Sequence, residues 1–420
     1  MYTLFRRPAR LAVAGLMLCA GAGLAAEADP PGADLASVHA WLQAHSPALQ
    51  AREFDAQAAD ARAQAAGALP DPMFEVELDG IDFGRPRALP GQVESTTWRV
   101  RQQFPLWGKR ALEREIAGHE ASAAGYRRDA EWLEQVEQAD MAWLLWWHAR
   151  ASRTLVEGQL ETLARMREVA VARYASGSGA QQDAIRADVA LTAMRRETIE
   201  LEAAANAAAA SLNARLGRAP AAALATPADD LELTPQGDLA ALLDGLRGRH
   251  PMLQAEAAMA SARAGMAEEV RRERWPDVAV GLGLMQMGTR AEGWELMFEV
   301  EIPLQRGARA QRERAAALRA QATDARLQAA VDALAGRAAQ AHARWQAAAD
   351  QERLIERELI PQAQAGVESA LAGYQAGAVD FDTLLAALEQ TQQAQRERLD
   401  LRRMRLEAAL ELMLLQGELP

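Results

Sequence analysis

The sequence predicts a mainly α-helical protein that carries a membrane β-barrel and is built from two tandem repeats of one unit. Three observations support this fold class. Four short motifs recur in the same order about 200 residues apart, two long stretches are poor in proline, and two pairs of segments alternate apolar and charged residues. A repeat of this length determines the architecture before any residue chemistry is considered. Each repeat is expected to hold long helical hairpins and one two-stranded hairpin.

The recurring motifs match pairwise between the two halves of the chain. They are Pro47-Ala48-Leu49 with Pro251-Met252-Leu253, Leu69-Pro70-Asp71 with Trp275-Pro276-Asp277, Phe104-Pro105-Leu106 with Ile302-Pro303-Leu304, and Tyr174-Ala175-Ser176-Gly177 with Tyr374-Gln375-Ala376-Gly377. Chance similarity in an alanine-rich chain explains one such match but hardly four in order. We therefore expect a first repeat over 27–218, an irregular linker over 219–237 and a second repeat over 238–420.

The N-terminus has the pattern of a cleavable signal peptide, expected over 1–26. Three arginines precede the apolar run 11–18, and small residues follow at 21–26. The apolar run is too short to span a bilayer as a helix. Cys19, the only cysteine, either leaves with this segment or is a lipid-attachment site; Leu18 just before it disfavours lipidation, because a small residue is expected there. The mature chain is expected outside the inner membrane.

Charge and residue content argue against several classes of function. The formal net charge is −12, which disfavours nucleic acid as a partner. The six histidines, at 39, 45, 119, 148, 250 and 342, fall on separate predicted helices without the spacing of metal ligands. No catalytic constellation is visible in the sequence. We therefore expect no enzymatic activity, no cofactor and no metal site.

The proline-poor stretches predict unusually long helices. The stretch 108–174 contains no proline, and 307–374 contains only Pro361. At about 1.5 Å per residue each would reach on the order of 100 Å, which favours coiled-coil packing. Returning helices are predicted over 181–216 and 381–415, and shorter opening helices over 35–68 and 239–274. Glycines at 177 and 377 are expected to provide the left-handed backbone that ends a long helix.

Alternation with a period of two predicts four strands, at about 72–83, 94–104, 277–287 and 293–302. A soluble, half-buried sheet would show the same alternation, but four strands cannot easily form a globular core while the helices run far past them. A sheet that crosses a membrane must close into a barrel, because lipid leaves no backbone group a polar partner. Four strands are too few to close, whereas three copies would supply twelve. We therefore expect a homotrimer with a 12-stranded β-barrel above a 12-helix tunnel.

The same alternation assigns the two faces of the sheet. The apolar residues are expected to face lipid; they are Phe74, Val76, Leu78, Trp98, Val100, Val280, Leu282, Leu296, Phe298 and Val300. The charged residues are expected to face the barrel lumen; they are Glu75, Glu77, Asp79, Arg99, Arg101, Glu295, Glu299 and Glu301.

These motifs together resemble the outer-membrane factor family typified by TolC, the outer membrane efflux proteins, over essentially the whole mature sequence. Prolines in matching places open the short helices, start the first strand of each repeat and turn each last strand into a long helix. Tyr174, Gly177 and Asp183 match the motif of the family's periplasmic hairpin. The segment 104–110, FPLWGKR, is most similar to the heavy-metal branch, the CzcC- and CusC-like channels.

The resemblance implies a passive export duct in the outer membrane that extends into the periplasm. Such a duct works with a periplasmic adaptor, or membrane fusion protein, and with an inner-membrane pump. Heavy-metal cations and a pump of the RND type are the expectation for this branch. Drug or small-molecule efflux and type I secretion are the alternatives. A secreted periplasmic scaffold or adaptor is a more distant one, and the lipoyl-like domain of an adaptor is not visible between the helices.

The resemblance also implies roles for residues at the two hairpins. The expected adaptor-contact tip consists of Gly177, Ser178, Gly179, Gly377 and Ala378. The best-known family members form rings of aspartates just after the second hairpin.

In this chain Thr383 and Ala386 stand in the places of those ring aspartates, so Asp380 and Asp382 are the candidates for a gate. The alternative is that both aspartates only begin the returning helix, where the helix dipole favours negative charge.

Overall fold

The computed structural model describes residues 30–81, 84, 88–228, 231–417 and 419 of the 420-residue chain. The predicted signal peptide over 1–26 and Cys19 lie outside the described residues. Within the described ranges, no helix combines the length and the apolar character that a membrane crossing requires.

Each half of the chain repeats the same order of elements. The first half contains helices α1 (Leu35–His45) and α2 (Pro47–Ala65), strands β1 (Met73–Asp79) and β2 (Ser95–Phe104), and helices α3 (Lys109–Ala175) and α4 (Gln181–Arg215). The second half contains α5 (Leu239–Arg249), α6 (Pro251–Arg272), β3 (Val278–Met287), β4 (Arg290–Val300), α7 (Arg306–Leu354), a π-helical turn (Ile355–Leu359), α8 (Ile360–Ala376) and α9 (Phe381–Leu415). The predicted fold class is confirmed.

The opening helix of each repeat is broken in two, which the sequence-based prediction of single helices over 35–68 and 239–274 missed. The breaks fall at Ser46 and at His250, each of which precedes a proline and has an extended backbone. A proline ring crowds the residue before it and disfavours helical geometry there. The same prolines then begin the next helix, where their missing N–H is not needed.

The long helices differ between the two repeats. Helix α3 is continuous for 67 residues. In the second repeat the equivalent path changes to π-helical geometry over Ile355–Leu359 and resumes as α8, with Pro361 in its first turn. Proline removes a backbone donor and crowds the preceding turn, which accounts for the irregularity at this point.

The four strands form one antiparallel sheet in the order β1-β2-β3-β4. The β2–β3 ladder joins the two repeats, with Ser95 opposite Met287 and Phe104 opposite Val278. Strand β4 begins at Arg290 rather than near 293, because Gly288 and its neighbour close a two-residue turn. Gly288 has a φ of 53°, the positive value that the first position of such a turn favours. In one chain the outer edges of β1 and β4 have no strand partner within the described residues.

The main core lies where α1, α3, the end of α4, α9 and the linker meet. Trp143, Trp146 and Trp147 are all nearly fully buried there. His39 and Asp140 share a hydrogen bond of 2.7 Å inside this core. A second apolar core follows the α3–α4 and α8–α9 hairpins toward their tips. Two smaller clusters pack α7 against α5, α6 and α9, and the start of α3 against α6.

Candidate functional site: the charged sheet face and the hairpin tips

The strand register places the predicted lumen residues on one face of the sheet. Glu75 pairs with Arg99 across β1 and β2, and the same row continues through Gly283 to Glu295 on β4. The remaining strand members, Glu77, Asp79, Arg101 and Glu299, lie on this face by alternation. Glu301 follows β4 in the same alternation, with its N–H bonded to the Asp277 carbonyl oxygen. That this face lines a lumen remains a prediction.

Arg99 is the centre of this charged face. Its guanidinium lies 2.9 Å from a carboxylate oxygen of Glu295, 3.3 Å from one of Glu75 and 3.4 Å from one of Glu77. Its side chain is 11% exposed, so these contacts are less screened than those of a surface pair. Arg101 makes a separate pair of 2.6 Å with Glu299.

Two glycines on β3 allow Arg99 to reach across that strand to β4. Gly283 is directly opposite Arg99, and Gly281 is two residues away on the same face. A β-carbon at Gly281 would lie 3.3 Å from Arg99 Cδ and 3.2 Å from Met297 Cε. The sequence alone did not reveal this role, although glycines at alternate positions of a strand indicate a close approach by a neighbouring group.

The opposite face of the sheet is apolar and exposed in the single chain. Phe74, Leu296 and Phe298 are each more than 60% exposed. Large apolar side chains are rarely left in such a continuous exposed patch in a soluble protein. The face therefore requires a cover of lipid or protein.

The segment 104–110 holds the two repeats together where the sheet meets the helices. Trp107 stacks on Trp275 with ring centroids 5.1 Å apart, and its indole N–H donates to the Pro276 carbonyl oxygen at 2.8 Å. Lys109 forms a 2.9 Å ion pair with Asp277 and also donates to the Trp275 carbonyl oxygen. This segment of the first repeat thus binds the corner between α6 and β3 of the second repeat.

The predicted adaptor-contact residues lie where the long helices reverse. Gly177 and Gly377 have φ values of 77° and 76°, which glycine adopts at low cost. Gly177, Ser178, Gly377 and Ala378 are exposed, and Gly179 is partly covered. Arg173 is the side chain that reaches these turns, where it donates to the Ser178 carbonyl oxygen at 2.9 Å.

The two candidate gate aspartates each have a partner within one chain. Asp380 caps α9, with its carboxylate accepting from the Thr383 N–H at 2.9 Å and from the Thr383 hydroxyl at 2.6 Å. These two hydrogen bonds hold the pKa of Asp380 below its usual value. Asp382 forms an ion pair with Arg186 of the first hairpin. A role for either residue in a gate remains a prediction.

A buried tyrosine connects the two hairpins close to their tips. The Tyr374 hydroxyl donates to Asp183 Oδ2 at 2.9 Å, and the guanidinium of Arg173 lies 4.4 Å from the centre of its ring. Burial, together with the hydrogen bond to Asp183, raises the pKa of Tyr374 to about 12. The sequence identified Asp183 and the tyrosine motif but gave no sign that they meet across the repeats.

A family model that covers most of the chain identifies this arrangement. The model of the outer membrane efflux proteins matches residues 41–218 and 242–418. The chain belongs to this family. Membership places this efflux protein at the outer membrane, as the sequence motifs predicted. No curated protein sequence matches the chain.

Solved outer-membrane channels share the fold of this efflux protein. Its structure is similar to that of the channel OprN, with a TM-score of 0.77 at 19% identity over 91% of this chain and 89% of OprN. It is also similar to CusC, with a TM-score of 0.76 at 16% identity over 91% and 92% of the two chains. It is similar as well to VceC from Vibrio cholerae, with a TM-score of 0.75 at 19% identity over 91% of this chain and 96% of VceC. At these identities the likeness concerns the fold.

Proposed function

We propose that three copies of this chain form a passive export duct that crosses the outer membrane and extends through the periplasm. One observation carries the proposal: within the part of the chain that the structure describes, the sheet has two unpaired edges, one charged face and one apolar face. An unpaired strand edge in lipid leaves each free N–H and C=O group without a partner, at a cost of several kcal/mol per group. Pairing β4 of one copy with β1 of the next removes every edge once the ring closes. The duct performs no catalytic step.

The mass of the detergent-solubilised protein tests the proposal. We expect three chains per particle and ion conductance across a planar bilayer from that particle alone. A monomer or dimer that still conducts would contradict the trimeric barrel. Extraction separates the duct from a periplasmic scaffold, because a scaffold would leave the membrane fraction with salt and a barrel needs detergent.

The hairpin tips are proposed to contact a periplasmic adaptor, which connects the duct to an inner-membrane pump. The support is position, since both glycine turns are exposed at the end of the long helices away from the sheet. Cysteines at Ser178 and Ala378 should form crosslinks to the adaptor in cells. A cysteine at Ala203, which is exposed on α4 far from the turns, is the matched control. Equal crosslinking at all three positions, or none at the tips, would contradict the contact.

Heavy-metal cations are the proposed cargo, with a pump of the RND type. The similarity of segment 104–110 to the heavy-metal branch supports this, and so does the charged sheet face, where six carboxylates stand against two arginines. Growth of a deletion strain on a panel of metal salts and drugs distinguishes the alternatives. Sensitivity to metals alone supports the proposal. Sensitivity to drugs alone favours small-molecule efflux, and the loss of a secreted protein favours type I secretion.

The same tips are proposed to close the duct at rest. Asp380 and Asp382 of three copies would then form rings of carboxylates around a narrow opening. Single-channel recordings with and without divalent cations test this with Asp380→Asn and Asp382→Asn. A ring predicts cation block in the parent protein and its loss in one variant. Unchanged block in both variants would leave only the capping of α9 by Asp380 and the ion pair between Asp382 and Arg186.

A further inference from the structure

An apolar band marks the boundary between the sheet and the helices. In the turn between β4 and α7, Ile302 is 69% exposed and Leu304 is 79% exposed. At the helix-side ends of β2 and β3, Trp107 and Trp275 stack on each other, and each stays about half exposed. Tryptophan combines a large apolar ring with one polar N–H, a combination typical of the layer between acyl chains and headgroups.

Trp107 has an unusual backbone geometry within this band. Its φ is 60°, which makes it the one non-glycine residue with a positive φ in the described part of the chain. Bulky residues rarely adopt this geometry, and such outliers recur at functional sites. The indole N–H donates to the Pro276 carbonyl oxygen at 2.8 Å, and the Arg272 guanidinium donates to the Gly108 carbonyl oxygen at 3.1 Å. These contacts fix the corner while about half of Trp107 remains exposed.

Three arginines of the second repeat adjoin this band in the sequence. Arg274 precedes Trp275, and Arg306 and Arg309 lie in the first turn of α7. None of the three side chains has a hydrogen bond or an ion pair within the part of the chain that the structure describes. Arg274 and Arg306 are exposed, and Arg309 is partly buried. Their guanidinium groups are therefore available to a ligand.

The carboxylates in the turns 273–277 and 301–305 do not neutralise these arginines. Glu273 pairs with Arg312 at 3.1 Å, and Asp277 pairs with Lys109 at 2.9 Å. Glu301, the third carboxylate of these turns, continues the charged face of the sheet. That face lies opposite the apolar one, which Ile302 extends by alternation.

The equivalent arginines of the two repeats differ in their contacts. Gly108-Lys109-Arg110 of the first repeat matches Gly307-Ala308-Arg309 of the second. Arg110 Nε donates to the Gly67 carbonyl oxygen at 2.7 Å. Arg309 Nε is buried and has no hydrogen-bond partner among the described residues. A guanidinium that is partly withdrawn from water attracts an anion more strongly than one in water does.

An apolar band beside free guanidinium groups favours an anionic phospholipid. Phosphate oxygens accept the paired N–H donors of arginine, and basic groups next to a membrane attract anionic headgroups. The other candidate partner is the exposed Asp71 of a neighbouring copy, which would approach this boundary when β4 pairs with β1 of that copy. One carboxylate does not match three arginines, so charge complementarity favours the lipid.

We propose that this boundary binds the phosphate of an anionic phospholipid, such as phosphatidylglycerol, in the leaflet of the outer membrane that faces the periplasm. The three arginines hold the headgroup, and the apolar band holds the first part of the acyl chains. The proposal rests on the duct proposed above, because only a sheet within the membrane brings this boundary to the depth of the headgroups.

Native mass spectrometry of the protein in detergent tests the proposal with two lipids that share their acyl chains. Dioleoylphosphatidylglycerol should bind to the trimer at least about tenfold more tightly than dioleoylphosphatidylcholine, as a charge-assisted contact implies. Equal binding of the two lipids to a trimer that conducts ions would overturn the lipid site alone. A particle that is not a trimer would contradict the duct itself.

Matched triple variants locate the site. The variant Arg274→Gln, Arg306→Gln, Arg309→Gln should lose the preference for phosphatidylglycerol. The control, Arg165→Gln, Arg195→Gln, Arg196→Gln, removes the same charge from exposed positions on α3 and α4 far from the sheet and should keep it. Equal loss in the control would overturn the assignment. Dissociation of the first variant in lipid-free detergent would do so too, because the arginines would then hold neighbouring copies together.

A spin label tests whether the apolar band meets lipid. A nitroxide on Leu304→Cys, in vesicles of dioleoylphosphatidylglycerol, should be shielded from a water-soluble nickel chelate and accessible to dissolved oxygen. The same label on Ala203→Cys, at an exposed position of α4, should be accessible to the chelate. Equal access of the chelate at both positions would place Leu304 in water and overturn the proposal.

Discussion

The hairpin tips of the two repeats carry the same tyrosine-to-glycine motif in opposite surroundings. Tyr174 is 47% exposed, whereas Tyr374 is 2% exposed and reaches Asp183 on the other hairpin. The turns themselves are alike, with φ values of 77° and 76° at the two glycines. The repeat therefore preserves the backbone geometry of the turn but not the contacts of its side chains.

In the sheet the backbones of the two hairpins differ, since only β3 and β4 are joined by a two-residue turn and carry a register shift, but both hairpins present the same two faces. Each contributes one antiparallel hairpin with apolar residues on one face and charged residues on the other. The difference between sheet and tip follows from what each region must satisfy. A closed ring of strands imposes the same two faces on every hairpin. The two tips instead contact one another, so their side chains can have different partners.

The largest expected effect tests the equivalence of the two hairpins in the sheet. Val76→Arg and Phe298→Arg each place a charge on the apolar face, one per repeat. Each should cost about 2–4 kcal/mol near the middle of a bilayer, because the charge would be exposed to lipid. The amount of assembled protein in the outer membrane, measured on semi-native gels, reports the loss.

Glu77→Arg is the control for this pair, since Arg99 keeps Glu75 and Glu295 as partners when Glu77 is replaced. It should assemble normally and shift the ion selectivity of the channel. Equal damage from all three changes would show that the faces are wrongly assigned. A large difference between Val76→Arg and Phe298→Arg would show that the repeats are not equivalent in the sheet.

The second-largest effect is expected at the two glycine turns, where the same substitution should strain the backbone equally. Gly177→Val and Gly377→Val each force a β-branched residue into the left-handed region, at a cost of roughly 1–2 kcal/mol. Space makes little difference, since a β-carbon at Gly377 meets only Arg173 at 3.5 Å and one at Gly177 meets nothing within 4 Å. Limited proteolysis at the tip should become faster in both variants.

Ala378→Val places the same β-branched side chain next to one of these turns at a residue without a positive φ, so it is the matched control. It should leave the rate of proteolysis unchanged. If Ala378→Val accelerates cleavage as much as Gly377→Val, the added bulk and not the backbone strain would be responsible.

Sequence patterns predicted the helices, the strands and the faces of the sheet, because each depends on local periodicity or on proline and glycine. They did not predict the break between α1 and α2 at Ser46. A serine followed by a proline can begin a helix whether or not another helix ends just before it. They could not separate Tyr174 from Tyr374, since the local motif is the same and the partner, Asp183, lies 191 residues from Tyr374 along the chain. The close approach of Arg99 to Gly281 and Gly283 could not be predicted either, because it depends on how the strands pair.

The third effect measures the asymmetry of the two tyrosines directly. Tyr374→Phe removes the hydrogen bond to Asp183 and should destabilise the packing between the hairpins by about 1 kcal/mol. Tyr174→Phe removes an exposed hydroxyl and should have no measurable effect. Hydrogen–deuterium exchange in the segments around 374 and 183 compares the two variants. Similar exchange in both would mean that the contact between Tyr374 and Asp183 does not persist in solution.

The smallest expected effect is a titration that only the buried tyrosine shows. Because its pKa is raised to about 12, Tyr374 should ionise in a late step of the absorbance at 295 nm that disappears in Tyr374→Phe. A raised pKa means that the folded state retains the proton more tightly than the unfolded chain does. The contribution of Tyr374 to stability is therefore complete below pH 10 and is lost as the pH rises toward 12. Faster proteolysis at the tip should accompany this step in the parent protein and not in Tyr374→Phe. Absence of the late step in the parent protein would mean that Tyr374 is not buried in solution, and that the two tips do not differ.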